Sequence, residues 1–227
     1  MKKIVVLTGA GMSAESGLKT FRDANGLWEG HDVMQVASPK GWNTNKQLVL
    51  DFYNQRRAQL LQANPNKAHQ ELVKLERNFK VEIITQNVDD LHERAGSSKV
   101  LHLHGELLKV RSTKNSTLIY DWKKDLCLGD TCEENSQLRP HIVWFGEEVP
   151  LLNDAINMTA SADILIIIGT SMQVYPAASL INFINYNTPI YFIDPKPTIQ
   201  KSYFPNLTII PKNASDGVTT IVDQLMG

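Results

Sequence analysis

The stretch "IVVLTGAGMSA", residues 4–14, decides the fold. Its first four residues are apolar at every position, and two glycines follow almost at once. A run without polar alternation suits a strand buried on both faces, and such strands build parallel sheets covered by helices. The pattern recurs in "VEIIT" (81–85), "VLHL" (100–103), "ILIII" (164–168), "IYFI" (190–193) and "LTII" (207–210). Between these runs "AHQELVKLERN", "LLNDAINMTAS", "AASLINFINY" and "GVTTIVDQLM" space their apolar residues as helices do, and Pro176 suits the first turn of the third. The expected fold is α/β: a doubly wound, Rossmann-like parallel sheet.

Two segments break the alternation. Residues 30–64 read as mainly helical, and residues 109–137, "KVRSTKNSTLIYDWKKDLCLGDTCEENSQ", are polar and irregular. Together they predict a small inserted domain, leaving 1–29, 65–108 and 138–227 for the sheet domain. A chain of 227 residues has ample core for one large domain with such an insert.

Charge and composition narrow the partners. Lys plus Arg number 23 against 24 for Asp plus Glu, which argues against nucleic acid or an anionic membrane. The opening "MKKIVVLTGAGMS" imitates an export signal, but glycines cut its apolar run short, and no other segment is suited to span a bilayer. Cys127 and Cys132 are too few for a disulfide framework and fit a reducing compartment. The expectation is a cytoplasmic monomer.

In an open parallel sheet, ligands bind outside the carboxyl ends of the strands. Here those ends read Gly9-Ala10-Gly11, Gln86-Asn87-Val88-Asp89, His104-Gly105, Gly169-Thr170-Ser171 and Asp194, five sets converging on one crevice. "GAGMSA" satisfies G-x-G-x-x-[GA], a pattern that lets backbone amides approach a pyrophosphate but also serves a tight strand-to-helix turn. An ordinary dinucleotide fold places an acidic residue after a second strand ~20 residues on. Here "ESGLKTFRDANGLW" follows with no strand pattern, so a hydride-transfer dehydrogenase is not expected.

The helical stretch "LVLDFYNQRRAQLL", residues 48–61, poses a separate question. Val49, Phe52, Tyr53, Arg56 and Leu60 share one face, so a permanent cation interrupts an apolar stripe; Arg57 is expected to point elsewhere. Arg56 either snorkels or pairs within the chain, or it serves a ligand.

Five stretches in order, "GAGMSAESGLKTFRD", "TQNVDDLHERAG", "HLHGELLKVR", "LRPHIVWFGE" and "GTSMQVYPAASL", resemble the motif series of the sirtuins, NAD-dependent protein-lysine deacylases, over nearly the whole chain. The helix motif Y-x-x-R, here Tyr53 to Arg56, is similar to that of the bacterial class III branch. The resemblance implies that NAD is consumed as a co-substrate: nicotinamide leaves, the acyl group of a modified lysine passes to ADP-ribose, and lysine is freed. His104 would then be the general base, a task suited to imidazole's near-neutral pKa. Spacing alone cannot separate His104 from His102, two residues earlier on the same strand; the family match selects His104 and leaves His102 structural.

By the same resemblance Asn87 and Asp89 join His104 in the catalytic set and bind nicotinamide and ribose, although Asp89 or Asp90 would equally cap the "LHERA" turn. The NAD site is carried onto Gly9, Ala10, Gly11, Ser13, Glu15, Phe21, Arg22, Gln86, Gly169, Thr170, Ser171, Asp194 and Ala214. At Asp194 the family often has asparagine with glutamate two positions on, whereas this chain reads "DPK". Val143, Phe145, Gly146, Val174 and Tyr175 would flank acyl-lysine and pair with the substrate backbone as strands, giving little sequence specificity. Tyr53 and Arg56 would receive the distal carboxylate of succinyl-, malonyl- or glutaryl-lysine, because a guanidinium fork matches a carboxylate and residues three apart on a helix project together. Some deacetylase activity is expected beside it.

Most sirtuins carry a zinc ribbon, for which four ligands are usual. Cys127 and Cys132 are the chain's two cysteines, and Ser112 stands where relatives often have the first ligand, so the insert reads as a degenerate ribbon without structural zinc. Two rival functions use the same NAD site: mono-ADP-ribosyl transfer to protein, and a non-catalytic NAD-binding module.

Overall fold

A computed structural model describes residues 1–19, 27, 28 and 30–227. Phe21 and Arg22 therefore lie outside the described residues. The first half contains β1 (Lys3–Thr8), a short ribbon of β2 (Leu27–Trp28) and β3 (His31–Asp32), and helices α1 (Val33–Val36), α2 (Pro39–Thr44), α3 (Lys46–Gln62) and α4 (Lys67–Leu75). Then come β4 (Lys80–Thr85), α5 (Leu91–Ala95), β5 (Val100–His102), β6 (Gly105–Ser112), β7 (Ile119–Asp121) and β8 (Leu138–Ile142). The chain closes with α6 (Leu152–Ala160), β9 (Ile164–Ile168), β10 (Ile190–Ile193), β11 (Leu207–Ile210) and α7 (Ala214–Met226).

All six apolar runs join one parallel sheet in the order β11-β10-β9-β1-β4-β5. The chain winds outward from β1 through β4 to β5, then crosses to β9 and winds the other way. That is the doubly wound Rossmann order, and its switch point lies between the carboxyl ends of β1 and β9. Alternate residues explain the continuous apolar runs. Ile4 and Val6 face a core shared with Leu72 and Leu75 of α4 and Val218 and Ile221 of α7. Val5 and Leu7 face the opposite core, with Ala155 and Met158 of α6. At the amino end of the sheet Glu82 is buried; desolvation alone would raise its pKa, but Lys3, Lys99 and Lys80 pull it down to about 2.

A third core packs α1 to α3 against β6 to β8 through Val49, Phe52, Leu60, Val110, Leu138 and Trp144. The helices here start on polar caps: the Asn45 side chain accepts from Leu48 N–H at 3.0 Å, and Ser38 accepts from Gly41 N–H ahead of α2.

Three expectations need correction. Residues 109–137 are not irregular throughout, because β6, β7 and β8 form an antiparallel sheet in the order β7-β6-β8. Alternating burial along "GELLKVRS" and a register shift between Gly105 and Val110 hide this sheet from a search for continuous apolar runs. The segment after Pro176 is a 3₁₀ helix, Ala177–Phe183, with Pro176 at its cap instead of in its first turn. Arg57, not Arg56, is the fully buried arginine of α3: its guanidinium donates to Asn54 Oδ1 at 2.7 Å and to the Leu107 carbonyl at 3.3 Å. Burial lowers its pKa to about 10, so it remains a cation at neutral pH.

Polar side chains tie the segment between β6 and β8 to α3 and to itself. The Asn54 amide donates to the Leu126 carbonyl (3.1 Å) and accepts from the Leu126 N–H (2.9 Å). Ser112 Oγ lies 2.5 Å from Ser136 Oγ, which lies 3.1 Å from Cys132 Sγ. Ser112 also accepts from the Lys114 and Asn115 backbones. Among the described residues no group of three or more His, Cys, Asp or Glu is placed to hold a metal ion, and no helix is long and apolar enough to cross a membrane.

Candidate active site

A cavity of about 680 Å³ opens at the switch point, between the strand ends and the α3 side of the molecule. Its size suits a cofactor-sized ligand. Every described residue among the candidates lines it: Gly9, Ala10, Gly11, Ser13, Glu15, Gln86, Asn87, Asp89, His104, Gly169, Thr170, Ser171, Asp194 and Ala214 on the sheet side, and Tyr53, Arg56, Val143, Phe145, Gly146, Val174 and Tyr175 on the other.

The floor is made by two loops in contact. Gly9 N–H donates to the Ile168 carbonyl at 3.0 Å and Gly11 N–H to the Gly169 carbonyl at 2.8 Å. A Cβ on Gly11 would stand 2.7 Å from Gly169 Cα, and one on Gly169 would stand 2.4 Å from Met12 N. The glycines thus serve the approach of β1's loop to β9's loop, and they leave a cradle of bare backbone facing the cavity. Glu15 reaches across to accept from Ser215 N–H at 2.9 Å, joining this loop to the start of α7 beside Ala214. Gln86 Nε2 donates to Thr170 Oγ1 at 3.1 Å, linking the ends of β4 and β9.

A buried polar chain lies next to the glycines. Asn87 Nδ2 donates to Ser13 Oγ (3.1 Å), and Ser13 Oγ donates to Asp89 Oδ2 (2.9 Å). Asp89 Oδ1 also accepts from Leu91 N–H at 3.2 Å, a local turn bond one residue before the α5 cap; the cap position itself is Asp90, whose side chain makes no capping bond. Burial raises its carboxyl above the ordinary value, against the pull of these hydrogen bonds.

The two histidines are separated by their surroundings. His104 Nδ1 lies 3.0 Å from the Gln86 carbonyl. A carbonyl only accepts, so Nδ1 carries the proton and Nε2 is the basic nitrogen. Burial lowers the His104 pKa, which keeps the ring neutral at physiological pH. His102 is not among the cavity residues; its Nε2 pairs with Glu93 at 2.6 Å. Burial alone would lower its pKa, but Glu93 holds it above the ordinary value.

Opposite the sheet, one face of α3 presents Tyr53 and Arg56, with the guanidinium 5.1 Å from the Phe52 ring centroid. Tyr53 is fully buried and its phenol is pushed well above its ordinary pKa by desolvation, so it stays protonated. Val143 N–H donates to the His104 carbonyl at 2.9 Å, fixing the "VWFGE" segment to the end of β5. Phe145 and Tyr175 are 41% and 73% exposed, aromatic surfaces left at the cavity mouth. Sequence reasoning passed over Gln59 and Trp144, which also line the cavity. Gln59 was legible as the residue three beyond Arg56 on the same helix face. Trp144 sits between two selected positions, and its indole N–H needs an acceptor.

A Rossmann-order sheet whose switch point holds a glycine cradle, a neutral histidine and a buried carboxylate is the build of a nucleotide-handling α/β enzyme. The chain belongs to the Sir2 family, whose pattern matches residues 9–176. It is 60% identical, over 100% of its own length and 96% of the relative's, to an NAD-dependent protein deacylase of Helicobacter pylori strain J99. To an NAD-dependent protein deacylase of Bacteroides thetaiotaomicron it is 50% identical, covering 100% and 99% of the two chains. Among solved structures, a Sir2 homolog–NAD complex matches with a TM-score of 0.89 and 38% identity, over 99% of this chain and 90% of the other.

Proposed function

We infer that this chain, an NAD-dependent protein deacylase by family and relatives, removes acidic acyl groups, succinyl, malonyl and glutaryl, from protein lysine and acts on acetyl-lysine as well. The observation that carries the acyl preference is the placement of Tyr53 and Arg56 on the wall of the cavity whose sheet side holds His104. An acetyl group needs neither a guanidinium nor a phenol; a second carboxylate is matched by both.

The cavity fits NAD by its donors and its bare floor. Gly9, Gly11, Gly169 and Thr170 would hold the phosphates, and Asp194 and Ala214 the adenosine side. Asn87, Ser13 and Asp89 would bind the nicotinamide half through their linked amide, hydroxyl and carboxyl. Bound NAD supplies the ADP-ribose that accepts the acyl group as nicotinamide departs. His104 Nε2 takes a proton from a ribose hydroxyl, and the Gln86 carbonyl steadies the resulting cation through Nδ1–H. Val143 and Gly146 on one side and Val174 and Tyr175 on the other would pair with the substrate backbone. Phe21 and Arg22 belong to the same cofactor site by sequence motif. The sheet residues and the 30–64 and 109–137 segments are read as a large and a small domain meeting at this cavity, in a cytoplasmic protein with two free thiols.

The test is kcat/KM with NAD for peptides that differ only in carrying succinyl- or acetyl-lysine. Arg56→Met should reduce the succinyl-to-acetyl ratio about 10- to 100-fold, the value of one charge-assisted hydrogen bond. A wild-type ratio at or below one would refute the acidic-acyl reading and leave a plain deacetylase.

A further inference from the structure

The tyrosine of the acyl pocket is held by a chain of groups that runs back into the small sheet. Glu147 pairs with Arg139 at 2.6 Å and with Arg111 at 3.2 Å, and it accepts the Trp144 backbone N–H at 2.8 Å. The Arg139 guanidinium lies 3.3 Å from the centroid of the Trp144 ring. Trp144 Nε1–H in turn donates to the Tyr53 hydroxyl oxygen at 3.0 Å. Both aromatic residues are buried, Trp144 at 2% exposure and Tyr53 at 0%.

The direction of the last bond is fixed by chemistry. Indole nitrogen can only donate, so the phenolic oxygen is the acceptor and turns its own proton to a different partner. A tyrosine hydroxyl left to itself either donates or accepts and tolerates both kinds of ligand. One whose oxygen already receives an N–H is biased toward donation, and accepting that bond polarises its O–H further. A carboxylate has acceptors only. We propose that Trp144 is a positioning residue for acyl selection, which commits Tyr53 to donate toward an acidic acyl group alongside Arg56. Arg139 and Glu147 hold the indole in place from its face and its backbone.

This rests on the acidic-acyl reading above. Glu147 and Trp144 belong to the "VWFGE" segment and Tyr53 to α3, so the device also couples the substrate-flanking strand to the helix that reads the acyl terminus.

The experiment compares the succinyl-to-acetyl ratio of kcat/KM in the wild type, Trp144→Phe, Tyr53→Phe and the double variant. Phenylalanine keeps an aromatic face for Arg139 and deletes the N–H. The expected result is a roughly three- to tenfold fall in the ratio for Trp144→Phe, carried by KM for the succinyl peptide, with no further fall when it is added to Tyr53→Phe. Replacing the indole at position 144 by benzothiophene, through an unnatural amino acid, removes little besides the N–H and should give the same fall even if the phenylalanine variant does not fold. Loss of both activities in equal proportion, or an equal fall in the Tyr53→Phe background, would make Trp144 a packing residue and overturn the inference while leaving the Arg56 result intact. A wild type without succinyl preference fails one step earlier, at the acidic-acyl reading, and takes the inference with it.

Discussion

Strand β9 and the segment from Cys127 to Leu138 are held by opposite means. Every side chain of "ILIII" is buried between two layers of helices, and the strand's polar groups are spent on parallel neighbours at both edges. In the insert, the Gln137 side-chain nitrogen lies 3.0 to 3.1 Å from the carbonyls of Cys127, Asp130 and Leu138, while its oxygen accepts from Gly129 N–H. Ser112, Ser136 and Cys132 are linked in the same manner, through side-chain contacts of 2.5 and 3.1 Å. The sheet is stabilised by area, which many residues share; the insert adds to its own apolar core a few specific hydrogen bonds, each made by one pair of groups. Damage to the sheet's ends should therefore show in chemistry, and damage to the insert in stability.

The largest effect belongs to the sheet side. His104→Ala should lower kcat by about 10²- to 10⁴-fold while cooperative thermal unfolding is retained, measured by nicotinamide release with an acyl peptide. The acid limb of the wild-type kcat/KM profile should fall below the ordinary histidine value of 6.5, because burial lowers the His104 pKa and the base is active above it. A limb centred above that value would point to a different proton acceptor.

On the insert side, Asn54→Ala deletes both bonds to Leu126 and an acceptor for Arg57, leaving a buried cation with the Leu107 carbonyl as its remaining hydrogen-bond acceptor among the described residues. Urea denaturation should register a loss of about 2–3 kcal/mol. Turnover at saturating substrate should change far less than in His104→Ala; the reverse ranking would erase the contrast between the regions.

Acid is expected to strike both regions alike. His69, under the sheet, and His141, in β8, are each lowered to about 4 by burial. The unfolded chain holds its histidine protons near 6.5, so in the window from there down to about 4 it binds more protons than the folded chain, and stability falls as pH falls. Between pH 7 and pH 5 His69 alone should remove on the order of 2 kcal/mol, seen as a drop in the urea midpoint. The smallest effect is a null one: incubation with EDTA should move Tm by less than about 1 °C, since hydrogen bonds and packing hold the insert. A larger drop would mean that a metal contributes to it.

What could be read in advance follows the same division. The inner strands were legible because burial on both faces admits hardly any polar residue, and the edge strands β5 and β11, half-buried or partly exposed, showed only as short apolar runs. Of the sheet of β6 to β8 only the bounding motifs were visible, since its strands mix buried and half-buried positions and its ladder is interrupted. The candidate residues at the cavity were legible from their place after apolar runs and from motif resemblance together. Tyr53 and Arg56 were found by helix spacing, but the same spacing misplaced Arg57, whose burial depends on an asparagine one turn away and a carbonyl fifty residues on. Trp144 was passed over because its bond to Tyr53 spans 91 positions of sequence.

The interlocked glycines at the cavity floor carry one more consequence, for how such a chain can evolve. Gly11 and Gly169 face each other without room for a methyl group on either, and Gly9 meets Thr170 as closely. No single substitution at these positions is neutral, and a side chain gained by one loop requires the other to retreat first. The two halves of the sheet, contributed by distant stretches of chain, are thereby bound to a common history: the nucleotide floor can drift only by paired changes, while the polar contacts of the insert can be replaced one at a time.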